Sequence, residues 1–137
     1  MIHDVLSVGD CARAAAVPRG TMSCWKSRGY LPNGDSPFDE TMAAAILRHL
    51  TALGLGAGDA SDLVAAVRRR WWPNMVGKGT PAVLVAVRGK SGAWSAEVRS
   101  ALELPAPPPA GAVVLDLGAI AAVVLARLAR AVPLRDR

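Results

Sequence analysis

The chain has 137 residues, 52% of them hydrophobic and 20% charged, which is ample apolar volume for one ordinary domain or two small ones and predicts a folded protein. Lys and Arg number 16 against 11 Asp and Glu, a net charge of +5 that favours polyanionic partners, because cationic side chains replace counterions along a phosphate backbone. The excess lies in the second half: residues 1–72 carry 8 basic and 7 acidic groups, residues 73–137 carry 8 and 4.

Cys11 and Cys24 lack the paired spacing of a zinc site and the density of a secreted disulfide scaffold, so both are expected to be small buried hydrophobes in a reducing cytoplasm. The opening MIHDVLSVGD has neither a basic n-region nor an apolar h-region, and no secretory signal is expected. The longest apolar run, 110–126, is short for a membrane span and contains Asp116; strand, turn and helix describe it better. A cytoplasmic, nucleoid-associated protein is the expectation.

Ser7 followed by Asp10 is a helix-start signature, and the Ala-rich stretch to Ala15 predicts a first helix. Val17 and Pro18 interrupt it, because proline is tolerated only in a turn or at the first helical position. A second helix is predicted from about Arg19 to Arg28, with Gly29 placed to stop it. Two short helices joined by a tight turn free the second to enter a major groove. Residues 32–37, Pro-Asn-Gly-Asp-Ser-Pro, are all turn chemistry and suit a compact wing. Asp39 is expected to cap a third helix reaching about Leu53, with Met42, Ile46, Leu50 and Leu53 as its core stripe.

Asp59, with Asp62 three residues on, predicts the start of a fourth helix carrying Leu63, Val64 and Val67 into Arg68-Arg69-Arg70, ended by Pro73. The arginine triplet suits the helix C-terminal dipole on a solvated face, with phosphate contact as the alternative. Trp71 and Trp72 suit packing at the junction of the two halves better than base stacking. Ala82 to Arg88 and the alternating Trp94, Ala96 and Val98 predict a hairpin around Gly89-Lys90-Ser91-Gly92. Pro105 to Pro109 read as a stiff linker, Val113 to Leu117 as a third strand, and Gly118 to Ala131 as a last helix with Ile120, Val124 and Leu128 on one face. The fold class is therefore α+β: a mainly helical domain over 1–73, then a small three-stranded sheet with a C-terminal helix over 74–137. So small a second unit needs the first half, or another copy of itself, to pack on.

Residues 7–17, Ser-Val-Gly-Asp-Cys-Ala-Arg-Ala-Ala-Ala-Val, and 18–32, Pro-Arg-Gly-Thr-Met-Ser-Cys-Trp-Lys-Ser-Arg-Gly-Tyr-Leu-Pro, resemble the opening of MerR-type and excisionase-type winged helix-turn-helix domains. Val17, Thr21, Met22, Trp25, Gly29, Leu31 and Pro32 fill that pattern. Phe38 to Ala66 resembles the two further helices of a MerR-type domain, so the resemblance covers about half the chain. It implies a sequence-specific transcriptional regulator of bacterial or phage origin that binds double-stranded promoter DNA as a homodimer. By the same resemblance Arg19, Ser23 and Lys26 are placed for base edges and Thr21 and Arg28 for the phosphate backbone. The long dimerisation helix of MerR regulators has no counterpart, because strands follow Trp71-Trp72-Pro73; dimerisation or binding of a protein partner is assigned to the second half. The cysteines of metal-sensing members are missing there too, so no metal or other cofactor is expected.

Two other readings use the same residues: an excisionase-like factor that bends DNA, and an antitoxin-like adaptor whose sheet edges accept a partner strand. No enzyme is expected. His3 and His49 are isolated, no paired carboxylates or nucleophile elbow emerge, and Gly77-Lys78-Gly79-Thr80 lacks the spacing of a phosphate-binding loop.

Overall fold

The computed structural model describes residues 7–31, 37–75, 82–100 and 111–131, with side-chain surroundings for all of these except 69–75 and 100. Residues 32–36 of the expected wing, the glycine-rich 77–80, the proline-rich 105–109 and the side chains of Arg69, Arg70, Trp71 and Trp72 lie outside that description. Within it the chain is α+β, in the order α1 (Val8–Ala15), α2 (Arg19–Ser27), α3 (Pro37–Ala52), α4 (Ala57–Met75), β1 (Ala82–Arg88), β2 (Trp94–Ser100), β3 (Val113–Asp116) and α5 (Leu117–Ala131).

Local chemistry sets most of these boundaries. Ser7 and Asp10 form a reciprocal capping box: the Ser7 hydroxyl accepts from the Asp10 amide at 3.1 Å, and the Asp10 carboxylate accepts from the Ser7 amide at 2.9 Å. Three helices end in the same left-handed turn. After α2, Gly29 (φ 76°) lets the Tyr30 amide reach the Trp25 carbonyl at 2.9 Å; after α3, Gly54 (φ 102°) lets the Leu55 amide reach the Leu50 carbonyl at 3.2 Å. After α1 the same place is taken by Ala16 (φ 59°), with the Val17 amide on the Ala12 carbonyl at 2.9 Å. Ala16 is the one non-glycine residue in this region among the described residues.

Helix α3 is the centre of the molecule. Thr41 to Leu47 and Leu50 are all buried, so its apolar surface wraps nearly the whole helix rather than one stripe. Each fully buried Met42, Ile46, Leu47 and Leu50 contributes about 1.5–3 kcal/mol relative to exposure. Ala43, Ala44 and Ala45 keep the helix thin, and α1, α4 and α5 all pack on it. Leu53, expected at the end of the core stripe, is instead 55% exposed, because α3 stops at Ala52 and the chain turns away at Gly54.

The sheet has strand order β2-β1-β3 and is antiparallel throughout, with Leu84 opposite Val98 on one side and Leu115 on the other. Ala82, Leu84 and Ala86 of β1, Trp94, Ala96 and Val98 of β2, and Val113 and Leu115 of β3 share one face and join the core. Helix α4 covers β2 and β1, and α5 packs on β1 while also lying against α1 and α3. One hydrophobic cluster therefore runs from Cys11 to Leu128, and the sheet-bearing half packs on the helical half.

Three boundary expectations are corrected. Asp39 is no N-cap: α3 begins at Pro37, and Asp39 is buried in a two-pronged pair with Arg68 of α4 (2.5 Å to Nη2, 3.4 Å to Nε). Helix α4 starts at Ala57, with the Ala60 amide on the Gly56 carbonyl at 2.9 Å, and continues through Pro73 to Met75. The proline there removes one helical hydrogen bond and the helix persists only two residues beyond it. Leu117, expected as the end of β3, is the first residue of α5, whose third residue amide is accepted by Asp116 at 3.0 Å.

The Ala16 turn carries a stability prediction. Left-handed backbone costs an L-residue about 1–2 kcal/mol, and glycine removes that cost at the expense of unfolded-state entropy. Ala16→Gly is expected to stabilise the protein by about 0.5–1 kcal/mol in urea unfolding; a destabilised variant would contradict the assigned turn.

Candidate nucleic-acid interface

Helix α2 is held by two residues. Met22 is 1% exposed, and Trp25, three positions on, packs against the core from a half-buried position. Everything on the opposite side is presented outward. Arg19, Ser23 and Lys26, at i, i+4 and i+7, line one exposed face, joined by Ser27 at i+8. Gly20 lies beside them with open space where a Cβ would stand. Of the five residues implied for DNA contact, the structure thus brings Arg19, Ser23 and Lys26 together. Thr21 sits half-buried on the flank, and Arg28 is exposed at the C-cap, beyond the last turn.

The start of α2 is bare. Pro18 occupies the N-cap and offers no side-chain hydrogen bond, and there is no acidic residue in the first turn. The first amides of the helix and its positive dipole end therefore face outward beside Arg19. The end is fixed by the Gly29 turn and by Ser61 of α4, whose hydroxyl donates to the Tyr30 carbonyl at 3.0 Å. These contacts, with the Ala16 turn before the helix, set the orientation of the exposed face.

Lys26 is not a free cation: its ammonium lies 2.6 Å from the Glu40 carboxylate in the first turn of α3. Any phosphate or base must compete with Glu40 for it, so Glu40 belongs to the electrostatics of this surface. Sequence spacing did not reveal that pairing, which joins two helices across an intervening loop. Gly20 and Ser27 were also passed over, although their helical spacing from Arg19 places them beside the face.

The cysteines divide differently from the sequence expectation. Cys11 is buried in the core, whereas Cys24 is exposed on α2, because Met22 and Trp25 already fill the side of the helix that docks. Burial pushes the Cys11 thiol above its ordinary value, opposed by a hydrogen bond with Thr41 and reinforced by Glu40 and Asp10. His49, half-buried near the end of α3, is held below the usual imidazole value first by burial and then by neighbouring Arg48. Among the described residues no group of three or more His, Cys, Asp and Glu could hold a metal ion, and no helix is long and apolar enough to cross a membrane.

No known protein-family model matches the chain, and no curated protein matches it either.

Thiol chemistry checks the placement of α2. With an aromatic disulfide reagent at pH 8, one thiol per native chain is expected to react quickly, Cys24→Ser is expected to abolish that phase, and Cys11 is expected to react only on unfolding. Two fast thiols, or a fast phase surviving in Cys24→Ser, would contradict it.

Proposed function

We propose that the protein is a sequence-specific DNA-binding regulator that lays the exposed face of α2 into the major groove of promoter DNA. The observation that carries this reading is the α2 face itself, with Arg19, Ser23 and Lys26 in line and Met22 and Trp25 anchoring the opposite side. The α1–turn–α2 arrangement, resembling that of MerR-type and excisionase-type domains, adds to it. Arg19 and Ser23 would reach base edges, with Lys26 exchanging Glu40 for DNA. Thr21, Arg28 and the first amides of α2 would hold the phosphate backbone. Regulation of this kind needs no chemistry on the DNA; occupancy is enough.

Selection of duplexes from a random pool by the full chain tests this. An enriched motif is expected, bound with an affinity that falls as salt rises. Arg19→Ala is expected to relax preference at one position by about 1–3 kcal/mol, Arg28→Ala to weaken all duplexes alike, and Glu40→Gln to tighten binding severalfold by releasing Lys26. Gly20→Glu, at a position with open space where a Cβ would stand, is expected to abolish binding. No enriched motif, or affinities unmoved by all four substitutions, would remove α2 from consideration.

The regulator acts as a homodimer formed through its C-terminal half in this proposal. Support comes from α5, which leaves Leu125 51% exposed. Light scattering of the full chain is expected to give twice the monomer mass, falling to the monomer in Leu125→Glu; a monomeric wild type would refute the dimer while leaving DNA binding to be judged by selection.

A further inference from the structure

A cleft of about 350 Å3 opens where the end of α1, the second half of α3 and α5 meet. It is at the small end of the ligand-pocket range of about 300–1,000 Å3. Its lining is mixed in a particular way. Buried Ala15, Ala45 and Val124 contribute apolar surface, and Val123 adds an exposed apolar wall. Arg48, His49 and Arg127 supply all of its ionisable groups, and no carboxylate lines it.

The two guanidinium groups are not neutralised. Among the described residues neither Arg48 nor Arg127 has a carboxylate within ion-pair distance. Arg127 is nonetheless anchored: one of its nitrogens donates to the Ala14 carbonyl at 3.2 Å, satisfying an end carbonyl of α1 and leaving its other donors available. Two arginines from different helices therefore line one cleft that no carboxylate lines, an arrangement suited to an anion. Phosphate or chloride would satisfy the charges but leave the apolar wall wet. An uncharged apolar molecule would do the reverse.

We propose that this cleft binds a small organic carboxylate, with Arg48 and Arg127 taking the carboxylate and Val123, Val124 and the alanines taking the apolar body. Ala16, the left-handed residue of the α1–α2 turn, also lines the cleft, so an occupant touches the joint that orients α2. A consequence for DNA affinity rests on the DNA-binding reading; occupancy of the cleft does not.

The test uses the full chain at pH 7 and reads the protein alone, by NMR titration of the His49 ring and the backbone amides around Ala15 and Val124. Benzoate is the probe, with benzyl alcohol and inorganic phosphate as controls. Saturable shifts with benzoate are expected, with a Kd of about 1 mM or tighter, and binding at least about tenfold weaker for both controls. Arg48→Gln, at an exposed position with no described carboxylate partner, is expected to weaken benzoate about fivefold or more without altering the fold, and Arg127→Gln to do the same. Absence of saturable shifts, equal binding of either control, or undiminished benzoate binding in both variants would overturn the proposal. Because no DNA enters the measurement, its failure is distinguishable from a failure of DNA binding.

Discussion

The burial of α3 is the constraint on which the rest depends. A helix buried from Thr41 to Leu47 leaves room for neighbours only where its side chains are small, and Ala43, Ala44 and Ala45 provide that room. Helices α1, α4 and α5 all take positions against it, and through α4 and α5 the sheet is drawn into the same core. The polar groups that this burial encloses are satisfied locally. The Thr41 hydroxyl donates to the Pro37 carbonyl at 2.5 Å, and Asp39 is held by Arg68. That pair joins α3 to α4 with a fork geometry and one nearly buried partner, conditions under which an ion pair outweighs the 0–1 kcal/mol or so of an exposed one.

This core explains why α2 is left largely exposed. It touches the rest of the molecule through Met22, Trp25, the Lys26–Glu40 ion pair and a turn at each end, so most of its circumference remains outside. The ion pair between Lys26 and Glu40 partly neutralises that exposed face. The cleft beside Ala16 stands at the other end of the same connection, where α5 reaches back to the end of α1 through Arg127.

Much of the local architecture was legible from residues alone. The Ser7–Asp10 box, Gly29, the hydrophobic run of β1 and the alternation of β2 each act within a few residues, so spacing was sufficient to place α1, α2 and the hairpin. The expectations that needed correction involve partners far apart in sequence. Asp39 looked like a cap because its partner Arg68 lies 29 positions away, and Cys24 looked buried because nothing in its own helix says that Met22 and Trp25 suffice to dock it. Leu53 continued the α3 stripe in spacing, yet the chain had already turned at Gly54.

The sequence by itself determined the α+β class and the order of elements, because periodicity and capping are short-range properties of the chain. Only the tertiary structure decided which distant residues meet: Glu40 against Lys26 and Arg68 against Asp39, with Arg48 and Arg127 lining a common cleft. Those juxtapositions arise from helices meeting around α3, and charge complementarity across such distances leaves no periodic trace in the sequence.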